Sequence, residues 1–134
     1  MFRWNKENAV AQPLAGRRCL VLDDEFLIAL DIQQVLEQAG AGEVVCAGNV
    51  AEALATIRAG RFDLAVLDLR LGRDGNSLPA AEALAAAGTP FLFLTGMRTD
   101  VAEVRGYADA PVVEKPYDSS TLLAAIRRLV DERP

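Results

Sequence analysis

Five short apolar runs, each ending in polar residues, constrain this chain more than any other feature. They are Cys19-Leu20-Val21-Leu22, Val44-Val45-Cys46-Ala47, Leu64-Ala65-Val66-Leu67, Phe91-Leu92-Phe93-Leu94 and Val112-Val113. None alternates apolar with polar residues, so each reads as a strand buried on both faces, the signature of a parallel sheet covered by helices. The stretches between them carry helical periodicity. Ile28, Ile32, Val35, Leu36 and Ala39 predict a helix over 26–39 that stops at Gly40. Asn49 and Glu52 have capping-box spacing ahead of a helix that ends at Gly60. Pro79 fits the first turn of an alanine-rich helix running to Gly88. A short helix is expected from about Asp100 to Ala108, weakened by Gly106, and a last one from Asp118 with Leu122, Leu123, Ile126, Leu129 and Val130 on one face. Strand and helix alternating five times, with right-handed crossovers, predict an α/β fold: a (βα)5 doubly wound, parallel five-stranded sheet.

The 134 residues fit one domain with a core of its own. Residues 18–134 form that predicted domain. Residues 1–17 read as a linker or loosely docked extension, because Asn5, Asn8, Gln12, Pro13 and Gly16 interrupt any long apolar period. A short amphipathic helix anchored by Phe2 and Trp4 is the other reading of that stretch. A net charge of -5 argues against nucleic acid or an anionic membrane as partner. There is no apolar run long enough for a membrane span and no leader-like N-terminus, so the expected compartment is the cytoplasm. Two cysteines are too few for a secreted disulfide framework, and Cys19 and Cys46 are expected as buried thiols on neighbouring strands. The chain has no histidine, which excludes a histidine-based triad, a histidine metal ligand and a phosphohistidine on these residues.

In an open parallel sheet, sites form at the carboxyl ends of the strands. Those ends carry Asp23 and Asp24, then Asp68, then Thr95, then Lys115. Taken singly, each is an ordinary turn, cap or surface residue. Together they bring three carboxylates into one crevice, which is costly without a cation and suits a hard ion such as Mg²⁺. A hydroxyl and an ammonium on the same rim suit phosphoryl oxygens, and Asp68 between the two sides is a candidate nucleophile.

On Leu22-Asp23-Asp24-Glu25, Leu67-Asp68, Leu94-Thr95-Gly96 and Glu114-Lys115-Pro116-Tyr117, residues 18–131 resemble the receiver domain of two-component response regulators, a flavodoxin-like fold. The resemblance implies that Asp68 is the phosphoacceptor, loaded from a phosphohistidine on a histidine kinase or histidine phosphotransfer protein. It implies Mg²⁺ held by Asp24, Asp68 and the backbone carbonyl of Arg70, with Asp23 acting mainly through water. Thr95 and Lys115 would hold the phosphoryl oxygens, and Gly96 would leave them room. The implied product is a signalling module rather than an enzyme, acting by contact with a downstream protein or as a phosphoryl shuttle or sink. Phe93-Leu94-Thr95-Gly96 is similar to the Phe-Ala-Thr-Gly signature of single-domain alphaproteobacterial regulators, differing at the second position. Val112 stands where receivers usually carry an aromatic ring, and Leu71-Gly72-Arg73 replaces the usual proline-containing turn.

Three other readings compete. A flavin module is disfavoured by Asp23-Asp24-Glu25, which would repel a phosphate. An aspartyl-phosphate hydrolase typically carries an acid two residues after the nucleophile, where this chain has Arg70. A degenerate receiver serving as a phosphorylation-independent binding module is disfavoured by the intact set Asp23, Asp24, Asp68, Thr95 and Lys115. The long side chains of Arg70 and Met97 are expected to flank the phosphoryl group and set its lifetime. With Val112 too stiff to swing like an aromatic ring, the switch is expected to run through residues 96–108.

Overall fold

The computed structural model describes residues 12–72, 75–96, 104, 106–107 and 109–131. Five strands, β1 Arg18–Leu22, β2 Glu43–Ala47, β3 Leu64–Asp68, β4 Phe91–Thr95 and β5 Val112–Glu114, form one sheet in the order β2-β1-β3-β4-β5. All pairings are parallel. The helices are α1 Phe26–Gln38, α2 Val50–Ala59, α3 Leu78–Ala86 and α4 Ser119–Asp131. This is the doubly wound architecture that the apolar runs predict. The helix expected between β4 and β5 falls mostly outside the described residues.

The two-residue period of the strands sorts the core into two layers. Cys19, Val21, Leu64, Val66, Leu92 and Leu94 face α1 and α4, where Ile32, Leu36, Leu122, Ile126 and Leu129 meet them. Leu20, Leu22, Ala65, Leu67, Phe91 and Phe93 face the other way, onto Ala53 of α2 and Ala80, Ala81 and Leu84 of α3. The alanine-rich stretch is therefore packed: Ala80 and Ala81 are fully buried. Tyr107 stacks edge-on against Phe91, with ring centroids 5.6 Å apart, and packs in the layer that Val112 borders.

Two local features depart from the sequence reading or refine it. Cys46 is exposed, not buried, while Cys19 is buried as expected. Cys46 lies on the edge strand β2, which has a neighbour on one side only; its sulfur is 3.4 Å from the Gln33 side-chain oxygen. At the amino end, Leu14 is fully buried in the α1/α4 layer. Its N–H donates to the Ala39 carbonyl at 2.9 Å, and the Gly16 N–H donates to Gly40 at 3.1 Å. The chain before β1 is thus tied to the carboxyl end of α1; residues 1–11 lie outside the described residues.

Candidate functional site

Register builds the site. Leu22 pairs with Leu67, so the residues that follow them, Asp23 and Asp68, emerge side by side at the carboxyl edge of the sheet. Asp68 in turn pairs with Leu94, which puts Thr95 one step beyond on the next strand. Thr95 pairs with Glu114, and the Lys115 N–H donates to the Thr95 carbonyl at 2.7 Å. Residues far apart in sequence are brought together because every strand of a parallel sheet ends on the same edge.

Carboxylate oxygens of Asp23, Asp24 and Asp68 lie within 4.8 Å of one another. Asp23 and Asp68 are buried, at 2% and 6% exposure, whereas Asp24 is exposed. The Lys115 ammonium is 3.1 Å from Asp68 Oδ2. Burial nevertheless raises the Asp68 carboxyl above its ordinary value, against the pull of Lys115. Asp23 is pushed up to about 6, chiefly by burial and further by the charges of Asp68 and Asp24; the Glu25 N–H bond and Lys115 oppose this. One Asp23 oxygen accepts that Glu25 N–H at 2.9 Å. The other, Oδ2, is buried and accepts no hydrogen bond among the described residues. A buried carboxylate oxygen without a partner is a costly feature, and a divalent cation answers both the missing bond and the excess negative charge. The donor set is all oxygen, as Mg²⁺ requires.

The loop after β3 lies beside this cluster and is fixed by its own hydrogen bonds. An isolated antiparallel bridge joins Arg70 to Asn76. Its two bonds are Ser77 N–H to the Leu69 carbonyl and Leu71 N–H to the Gly75 carbonyl, both 3.0 Å. The Arg70 N–H is bonded to Asp68. Gly72, which the sequence marked only as a departure from the usual turn, touches the site. It has φ +53°, and a Cβ there would lie 2.8 Å from Asp24 Oδ2. Glycine is needed at this position both for its backbone and for the close approach of a carboxylate. Gly96, by contrast, has no atom of the described residues within 4 Å of where a Cβ would stand. Thr95 is buried. Met97 lies outside the described residues.

Tyr117 forms part of the wall. Its hydroxyl is pushed up to about 12 by burial and by the charges of Asp23, Asp68 and Asp31. Beside the acidic pocket, the start of α1 exposes a patch of Phe26 (77%), Leu27 (73%) and Leu30 (36%). These three fall off the buried stripe of α1 and were not singled out from the sequence.

A five-stranded α/β sheet with an acid cluster and a lysine at its carboxyl edge defines a class, and comparison with known proteins names it. The family model described as the response regulator receiver domain matches residues 19–127, and the chain belongs to that family. It is similar to the transcriptional regulatory protein YvrH of Bacillus subtilis (strain 168), with 30% identity over 110 residues, covering 81% of this chain and 46% of that protein. The chain spans about half the length of the curated relatives it matches, from 46% to 60%. It also resembles the solution structure of SdrG from Sphingomonas melonis Fr1, with 36% identity, a TM-score of 0.73, and coverage of 86% of this chain and 97% of that one. The response regulator protein TrrA from Thermotoga maritima, solved in complex with Mg²⁺-BeF, matches at 25% identity and a TM-score of 0.74, covering 84% and 98%. Among the described residues no helix is long and apolar enough to cross a membrane.

Proposed function

We propose that Asp68 accepts a phosphoryl group from a phosphohistidine on a histidine kinase or histidine phosphotransfer protein, and that residues 18–134 act as the receiver of a two-component phosphorelay. The observation that carries this reading is the buried Asp68 carboxylate, which shares one crevice with two further acids and lies 3.1 Å from the Lys115 ammonium. In the transfer, an Asp68 oxygen bonds to phosphorus as the P–N bond to the donor imidazole breaks. Lys115 is the cation that pairs with the added phosphoryl oxygens, and the Thr95 hydroxyl is a second ligand for them. Gly96, with no described atom within 4 Å of where a Cβ would stand, is the residue read as leaving room for the group. Asp24, Asp68 and the Arg70 carbonyl are the residues that would hold Mg²⁺, with Asp23 supporting through water. The ion supplies positive charge that offsets the carboxylates and the incoming phosphoryl. Arg70, and Met97 outside the described residues, are assigned to setting the lifetime of the acyl phosphate.

The apolar patch of Phe26, Leu27 and Leu30 beside the pocket supports a protein as donor, since such patches mark protein contacts. The domain is read as a cytoplasmic signalling module rather than an enzyme. It works by contact with a downstream protein or as a shuttle or sink, with neither nucleic acid nor membrane as direct partner. The similarity of Phe93-Leu94-Thr95-Gly96 to the Phe-Ala-Thr-Gly signature supports a place among the single-domain regulators.

Incubation with a small phosphodonor and Mg²⁺ tests the reading: intact mass should rise by one phosphoryl, and chelation should prevent the gain. A protein that stays unmodified would point instead to a degenerate receiver binding its partners without phosphorylation. Gly72→Ala should weaken Mg²⁺ binding on the order of tenfold, the scale for disturbing groups that orient ligands, because the new methyl displaces Asp24. Isothermal titration measures this, and an unchanged affinity would remove Asp24 from the ligand set.

A further inference from the structure

Strand β2 is an open edge of the sheet: it pairs with β1 and, among the described residues, has no strand on its other side. Its bonds to β1 alternate. The Glu43 N–H donates to the Arg17 carbonyl at 3.3 Å, and the Ala47 carbonyl accepts the Asp23 N–H at 3.1 Å. In a parallel ladder this gives Glu43, Val45 and Ala47 to β1 and turns the N–H and C=O groups of Val44 and Cys46 outward. Edge strands are ordinarily blunted by lysine, proline, a free charge or short length. β2 has five residues, Glu43-Val44-Val45-Cys46-Ala47, with neither proline nor lysine. Its one charge, Glu43, is engaged by Arg18 at 3.0 Å. The opposite edge is guarded: β5 has three residues, follows Pro111 and carries Glu114 in its outward set.

The outward groups are self-complementary. Val44 and Cys46 flank Val45 symmetrically, so a two-fold axis through Val45 sets Val44 of one copy opposite Cys46 of the other. Each then exchanges both its backbone bonds with its opposite, as hydrogen-bonded pairs of an antiparallel ladder do. The helices leave room for this. α1 on one face and α2 on the other each lie against both β1 and β2. With strands about 4.8 Å apart, a helix centred between β1 and β2 stands about 10 Å from its two-fold mate, a normal distance for packed helices. The flank of α1 beside this edge is polar. Gln33 Oε1 is 3.4 Å from the Cys46 sulfur, and Gln33 Nε2 donates to Glu37 at 2.8 Å. Two antiparallel copies of α1 set that amide donor of one toward that carboxylate of the other.

We infer that β2 is a dimerisation edge, joining two copies of this domain antiparallel through Val44-Val45-Cys46 into one continuous sheet. A bare strand edge needs another strand, and the second copy supplies one of matching register. The acid pocket lies over the ends of β1, β3 and β4, so it stays open in the pair. The contact is separate from the phosphoryl chemistry proposed for Asp68, and neither depends on the other.

Sedimentation of the full chain should show a mass that rises with concentration toward twice that of one chain. Cys46→Pro removes an N–H that β1 does not use, and Cys46→Lys sets a cation on the edge; both should stay monomeric with unchanged circular dichroism. Cys46→Lys, at an exposed position, decides the matter alone if proline costs the fold. Cys46→Ser should still pair. Cross-linking with oxidised glutathione reads the register: two thiols join as a disulfide, and their electrons and protons reduce the oxidant to two thiols of glutathione. Residues directly opposed in an antiparallel pair have Cα atoms about 4.5 to 5.5 Å apart, within disulfide reach. Val45→Cys in the Cys46→Ser background should therefore link two chains. Native Cys46 and its counterpart stand two steps out of register, about 8 Å apart, and should not link. Cys19 is buried in either case. A wild-type chain that stays monomeric at every concentration would overturn the inference. So would pairing that survives Cys46→Lys, or linkage through Cys46 while Val45→Cys stays unlinked.

Discussion

Asp68→Asn is expected to abolish phosphoryl gain completely while the domain stays folded. An amide cannot form the acyl phosphate, and neither neighbouring acid takes over. Asp23 is held by the Glu25 N–H and lies deeper, and Asp24 is exposed and lacks the contact that Lys115 makes with Asp68. The fold survives because asparagine matches aspartate in shape, and because the Lys115 side chain, 27% exposed, can be hydrated once its partner is neutral. Intact-mass measurement with phosphodonor and Mg²⁺ checks the chemistry, and thermal unfolding checks the fold. A phosphoryl gain that persists in a folded variant would place the acceptor elsewhere.

In the absence of divalent ions, stability is expected to fall as pH rises from about 4 toward neutrality. Asp23 titrates at about 6 in the fold, against 3.8 for an ordinary aspartate. Between those values the folded state holds a proton that the unfolded chain has released. This contribution to stability is therefore fully present below the unfolded pKa and is lost as pH passes the folded one. The shift corresponds to on the order of 2 to 3 kcal/mol, at about 1.4 kcal/mol per unit. Asp68 acts in the same direction, since burial raises it too. The charged groups facing Asp23 are Asp24, Asp68 and Lys115, and Tyr117 adjoins them. The capping carboxyl of Asp118 is lowered, so its effect falls at more acid pH. Urea unfolding in EDTA should show a higher midpoint at pH 5 than at pH 7.5. Mg²⁺ at pH 7.5 should recover the loss, because a ligand of the folded state stabilises by mass action. Greater stability at pH 7.5 in EDTA would show that the acids are not strained against one another.

Asp23, Asp68, Thr95 and Lys115 were legible before any coordinates because unbroken apolar runs force a parallel sheet, and a parallel sheet sends all its strand ends to one edge. What the runs cannot encode is lateral position. Val44-Val45-Cys46 is as apolar as the central strands, yet it lies at the edge, so Cys46 is exposed. The role of Gly72 depends on Asp24 from a loop far away in sequence, and a glycine in a loop carries no sign of its neighbour. Leu14 sits among Gln12, Pro13 and Gly16, with no period to betray its burial. Phe26 and Leu27 are apolar residues that face outward, a choice made by which stripe of α1 meets the sheet.

Strand β5 is three residues long and is held by β4 alone, whereas β3 is buried along its whole length at the middle of the sheet. The contact between Lys115 and Asp68 spans from that lightly fastened edge to the fixed centre, passing over the end of β4. It works as a stay, and its tension depends on the charge at Asp68. Whatever changes that charge alters how firmly the margin of the sheet is closed, and leaves the midline as it was. The amide protons of Val113 and Lys115, the residues of this edge that face β4, are then the ones whose exchange with solvent keeps time with events at Asp68, while those of Ala65 and Val66 run slow throughout.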